Sequence, residues 1–174
     1  MGPRQARAKA QLATQELLKL PKPRVSADGL EIYAPDPPVS CGDIEPSTMV
    51  TDRLAKLARD LSIEKRFIPK SRSRALRPME RGHWLIDCTG WSKNRREAVW
   101  VFLTNYIGTG AAGWGVWCRR NEAFTLIRLY CWAQIIGHMY LVFYLASERE
   151  ILYTNATWIG SDGEDVIVMP VKQR

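Results

Sequence analysis

An α+β fold is the expectation for this chain: a single domain with a curved, mostly antiparallel sheet and helices packed on one of its faces. Three observations lead to it. A Trp-rich block alternates apolar and polar residues with period two in several short runs. Stripes of helical period stand before and between those runs. The resulting order is strand, helix, strand, strand, helix, strand, strand. At 174 residues, with 46% hydrophobic and 10% aromatic content, the chain can bury one full core and does not have the composition of a disordered protein.

Residues 1–46 read as peripheral: a basic helix near 5–19, then an extended connector broken by Pro21, Pro23, Pro35, Pro37, Pro38 and Pro46. The main domain is expected over 47–174. Ser47 or Thr48 caps a helix running to about Leu61, with Val50, Leu54, Leu57 and Leu61 forming one apolar stripe. His83–Cys88 reads as a strand ended by Thr89-Gly90. Ser92 then caps a helix whose Val99, Phe102, Leu103 and Tyr106 recur at helical spacing, with Gly108 as its stop. Trp114–Cys118 and Phe124–Trp132 are the next strands, joined by a polar turn at Arg119-Arg120-Asn121-Glu122. In the second of these strands Phe124, Leu126, Arg128, Tyr130 and Trp132 share a side. Ile135–Ala146 suits a buried helix, although its period alone does not exclude a strand. Ile151–Tyr153 and Val166–Met169 close the set as strands, with Ser161-Asp162-Gly163-Glu164 as a turn.

The net charge of +7 favours acidic partners. Its densest source is the run Lys65–Arg81, with Lys65, Arg66, Lys70, Arg72, Arg74, Arg77 and Arg81 against the single acid Glu80. Lys70-Ser71-Arg72-Ser73-Arg74 is also compatible with a phosphorylation site or a nuclear address. Cys41, Cys88, Cys118 and Cys131 contain no CxxC pair and follow no hydrophobic signal segment. Reduced, mostly buried thiols in a cytoplasmic or nuclear protein are expected, with a mitochondrial address at the basic N-terminus as the alternative.

A two-helix membrane protein is the competing architecture. Residues 98–118 and 129–147 carry no formal charge and approach spanning length. Thr104, Asn105, four glycines, Gln134 and His138 speak against it.

Arg81-Gly82-His83-Trp84-Leu85-Ile86, followed by a helix carrying Val99-Trp100-Val101-Phe102-Leu103, resembles the mRNA cap-binding initiation factors. Val116-Trp117-Cys118-Arg119 and Thr125–Trp132 stand where that family has a strand ending in a basic residue and a strand ending near a Trp. The closing pattern around Ile151-Leu152-Tyr153 and Thr157-Trp158-Ile159-Gly160 is similar to the uncharacterised basophilic-leukaemia-expressed protein family, which shares that fold. The likeness spans residues 80–160. It implies an initiation-factor-like α+β fold, cap-phosphate contacts at Arg119 and Arg120, and Trp132 beside a base. The two base-sandwiching tryptophans of the cap binders lie upstream of their Trp-Leu-Ile strand. Here no Trp precedes Trp84, and Tyr33 and Phe67 are the only aromatics before it.

No motif names a reaction. His83 and Asp87 share a strand side but no nucleophile elbow accompanies them. Cys118, Cys131 and His138 contain no tight ligand pair, and Asp162, Glu164 and Asp165 read as a solvated turn, so no metal is assigned. Gly108, Gly110 and Gly113 match bare GxGxxG spacing but follow a helix, and no Walker lysine is present, so no cofactor is assigned.

The expected function is non-catalytic binding of RNA or a nucleotide. Lys70, Arg72, Arg74, Arg77, Arg81, Arg119 and Arg120 are the phosphate-binding candidates, and Trp117 and Trp132 the base-stacking candidates. The alternative is a protein-interaction subunit docking through residues 1–61.

Overall fold

The computed structural model describes residues 24–37 and 44–174. Eight strands form one open sheet, antiparallel throughout: β1 (Arg24–Val25), β2 (Glu31–Tyr33), β3 (Ser71–Arg72), β4 (Arg81–Asp87), β5 (Trp117–Arg120), β6 (Leu126–Trp132), β7 (Ala156–Gly160) and β8 (Asp165–Val168). Their order across the sheet is β1-β2-β5-β6-β4-β7-β8-β3. Among the described residues four helices accompany it: α1 (Asp52–Asp60), α2 (Ile63–Arg66), α3 (Lys93–Gly108) and α4 (Ile136–Ala146). The α+β expectation holds.

Strand alternation decides which side is core. Gly82, Trp84 and Ile86 of β4 are buried, as are Ile127, Leu129 and Cys131 of β6 and Ala156 and Trp158 of β7. Register places Trp84 between Leu129 and Trp158, and continues the row through Cys118 to Ile32. All four helices cover this face. The Trp84 indole donates to the Ile136 carbonyl at the start of α4, and Phe67, just after α2, meets the Trp84 ring edge-on. α4 is buried nearly all round, as an apolar helix sandwiched between sheet and helices must be.

The apolar stripe of α1 packs inward, with Leu54 fully buried and Leu57 and Leu61 against the core. That surface is therefore used within the domain. The cap of α1 is Thr51, whose hydroxyl accepts from Leu54 N at 3.1 Å; Pro46–Met49 is a 3-10 turn ahead of it. Ser92 caps α3 as expected, accepting from Arg95 N. The helix is closed by Gly110, two residues beyond the expected stop at Gly108, at φ +84°.

Several elements differ from expectation. Part of the connector joins the sheet as β1 and β2. Ile151–Tyr153 lies in a 3-10 turn (Glu150–Tyr153), and the strand follows at Ala156–Gly160. Arg119 and Arg120 belong to β5, and the turn comes after them; Phe124, at φ +53°, is in that turn. The expected helix near 5–19 and Cys41 lie outside the described residues. The two uncharged stretches are divided among α3, a loop, β5, β6 and α4. Among the described residues no helix is long and apolar enough to cross a membrane.

Candidate nucleic-acid interface

The second face of the sheet carries no described helix. Period two sends Arg81, His83, Leu85 and Asp87 of β4 to it, together with Leu126, Arg128, Tyr130 and Trp132 of β6. Trp117 and Arg119 of β5 and Glu31 and Tyr33 of β2 complete it.

Register then builds rungs across the strands. One runs Ile159–His83–Tyr130–Trp117–Tyr33. Its rings form a ladder: Trp117 and Tyr130 stack at 4.1 Å and 5°, Tyr33 stacks on Trp117 at 5.9 Å, and His83 lies 4.9 Å from Tyr130. Because the inner ring faces cover one another, Trp117 and Tyr130 present their edges to the surface. Tyr33, 40% exposed, ends the stack.

The next rung sets Arg119 directly opposite Arg128. Like charges in that position oppose folding by roughly 0.2–1 kcal/mol. Arg119 is partly relieved by Glu31 at 3.5 Å, which also accepts from the Tyr33 hydroxyl. Among the described residues Arg128 has no carboxylate partner. The pair borders a depression of about 470 Å³, completed by Leu30, Arg120, Asn121, Glu122 and Tyr130. Asn121 shapes its floor by accepting from Thr125 N and Leu126 N.

The predicted residues are scattered relative to this face. Arg120 alternates with Arg119, so its guanidinium turns to the helix side and lies over Phe124 at 4.5 Å and Trp100 at 5.3 Å. β3, which carries Arg72, is five strand positions from β5, about 24 Å at the usual spacing. Arg72 pairs with Ile167 and borders a cavity on the helix side with Phe67 and Ile136. Lys70 and Arg77 are exposed near that edge. Arg74 forks onto Glu80 at 2.6 and 3.1 Å and reaches Asp162 at 3.1 Å. That clasp ties the 73–80 loop to the β7–β8 turn. It holds the Glu80 carboxyl below its ordinary range, chiefly through the hydrogen bond from Arg74.

Of the basic run, only Arg81 reaches the open face, where its guanidinium lies over Trp132 at 4.5 Å. Trp132 also meets Trp114 edge-on at 5.6 Å. Sequence reasoning passed over Arg128, Tyr130 and His83 as site residues. A charge in the middle of an apolar strand was the available signal for Arg128.

Asp87 faces the same side as His83, but its carboxylate accepts from Thr89 N at 3.0 Å and closes the following turn. The two are four strand residues apart, about 13 Å. Among the described residues Cys88, Cys118 and Cys131 are free and buried, and burial pushes the Cys88 thiol up to about 11 and Cys131 to about 12. They sit in the core as protonated apolar groups.

Burial, reinforced by the nearby Arg128 charge, lowers the His83 pKa; burial alone lowers that of His138. The unfolded chain therefore takes up these protons first as pH falls. Their contribution to stability is complete above the unfolded histidine value, about 6.5, and is lost as pH drops from there through the folded values. Urea midpoints should fall between pH 8 and 5, and the double variant His83→Gln/His138→Gln should flatten that segment. An unchanged slope would refute the assignment.

No family model, curated protein or solved structure matches the chain.

Proposed function

We propose that this is a non-catalytic RNA- or nucleotide-binding protein whose ligand lies on the face of the sheet opposite the four described helices. The observation that carries this reading is the Arg119–Arg128 pair, opposed across β5 and β6 at the rim of a 470 Å³ depression and adjoining the Trp117–Tyr130 stack. Two like charges held together at a cost to the fold become favourable when a phosphate sits between them. Planar guanidinium groups can each donate two hydrogen bonds to its oxygens. The ring ladder beside them offers apolar edges and the partly exposed Tyr33 to a base or ribose.

Because the inner ring faces are already covered, electrostatics supplies most of the affinity, and binding should be steep in salt. A labelled single-stranded RNA titrated by anisotropy at several salt concentrations tests this. Each neutralised phosphate of a single strand contributes a slope of about −0.7 in log K against log salt. The double variant Arg119→Gln/Arg128→Gln should weaken binding about tenfold or more and reduce the slope by roughly 0.7 for the one phosphate held between them. Salt-independent binding, or affinity unchanged in the double variant, would overturn the proposal. Arg72→Gln, on the far edge of the helix side, should leave the affinity within about twofold.

A further inference from the structure

We infer that the face opposite the four described helices is a track for a single strand of nucleic acid, running along β4 and β6 with successive phosphates at Arg128, His83 and Arg81, and not a cup for one nucleotide. It rests on the ligand class just proposed and adds its length and direction.

Two independent observations carry it. The first is periodic. Arg81, His83 and Leu85 occupy consecutive open-face positions on β4, opposite Trp132, Tyr130 and Arg128 respectively. Each step along a strand face advances about 6.6 Å, close to the separation of neighbouring phosphates in an extended polynucleotide. Every rung thus pairs a nitrogen donor with a ring or a second apolar side chain: Arg81 with Trp132, His83 with Tyr130, Arg128 with Leu85.

The second observation is unsatisfied chemistry at the far end of that line. Arg81 Nη1 and Trp132 Nε1 are both buried, and neither has a hydrogen-bond partner among the described residues. Both are donors, so the missing group is an acceptor. Burial lowers the Arg81 pKa, and no carboxylate contributes to its environment. The nearest acid in sequence, Glu80, is engaged by both guanidinium nitrogens of Arg74. A half-buried guanidinium with one nitrogen cut off from water and given no acceptor is unfavourable. Turning it outward onto a phosphate gains hydrogen bonds at Nη1 and breaks none there. The indole is held by Trp114 on one side, while Gly115 lacks the side chain that would press on its nitrogen: a Cβ there would stand 3.0 Å from Trp132 Nε1. Among the described residues the acids near the track are Glu31 on β2, the exposed Glu122 at the rim of the Arg119–Arg128 depression, and Asp87 at the end of β4, where Thr89 N occupies the latter.

The experiment compares uridine triphosphate with di-, tri- and hexauridylate on the full chain, by displacement of a labelled oligonucleotide. Affinity should rise about tenfold from the dinucleotide to the trinucleotide and then flatten. Arg81→Gln should remove that step while leaving uridine triphosphate binding intact. Arg81→Lys, which keeps the charge, should restore part of it and guards against a folding defect. Equal affinity for triphosphate and trinucleotide, with Arg81→Gln silent, would overturn the track while leaving the Arg119–Arg128 site standing. Failure of every uridylate to bind would remove both.

Discussion

Gly82→Ala should be the most damaging single methyl in this protein, costing about 3 kcal/mol or more, or preventing folding outright. Gly82 lies on β4, the strand joined to β6 on one side and β7 on the other, and faces the core. A Cβ there would fall inside the van der Waals envelope of Trp158 Cζ2 and of the Ile159 carbonyl oxygen. Neither can retreat. Trp158 is fully buried against Trp84 and Ile167, and Ile159 belongs to the ladder pairing β7 with β4. The bare glycine is thus the seat of an indole ring. Gly90→Ala is the matched control: a Cβ there meets nothing within 4 Å, and its stability should change by no more than about 0.5 kcal/mol. Urea unfolding of the two variants measures the contrast. Equal midpoints would mean that Trp158 does not rest on Gly82.

Local periodicity made much of this architecture legible. The Leu54–Leu57–Leu61 stripe, the Ser92 cap and the alternation of Leu126–Trp132 are each written within a dozen residues, and each led to the right element. Elements fixed by distant pairing left no such mark. β1 and β3 have two residues each and β2 has three, and they exist because β2, β5 and β8 offer them edges. Ile151–Tyr153 looked like a strand from composition, but the left-handed residues Glu148 and Arg149 turn the chain sharply after α4. The strand then starts only at Ala156. The candidate site was hidden for the same reason. A basic run is contiguous in sequence, yet its arginines diverge: Arg66 to the Tyr144 hydroxyl, Arg74 to Glu80, Arg72 to the helix side and Arg81 to the open face. Arg119 and Arg128 are nine residues apart and meet only because the β5–β6 register sets them opposite each other.

Trp84→Ala should cost about 3–5 kcal/mol, a large share of the 5–15 kcal/mol that usually separates folded from unfolded states. Trp84 is fully buried at the centre of the layer between sheet and helices, packed against Phe67 and Tyr140, with Leu129 and Trp158 on the flanking strands. Its indole nitrogen donates at 3.0 Å to the Ile136 carbonyl. Removing the ring leaves a cavity and leaves that acceptor without the indole. Trp84→Phe separates the two effects: most of the volume stays and the donor goes, so its cost should be about 1–3 kcal/mol. Because strand alternation aims Trp84 away from His83 and Leu85, Trp84→Phe, assayed where it remains folded, should leave the proposed RNA binding unchanged. Arg119→Gln/Arg128→Gln should show the reverse, weak binding with undiminished stability, since it relieves a like-charge pair. If Trp84→Phe weakened RNA binding as much as the arginine double variant at a temperature where its near-ultraviolet circular dichroism is native, the two faces of the sheet would not be independent, and the ligand site would have to be sought among the helices.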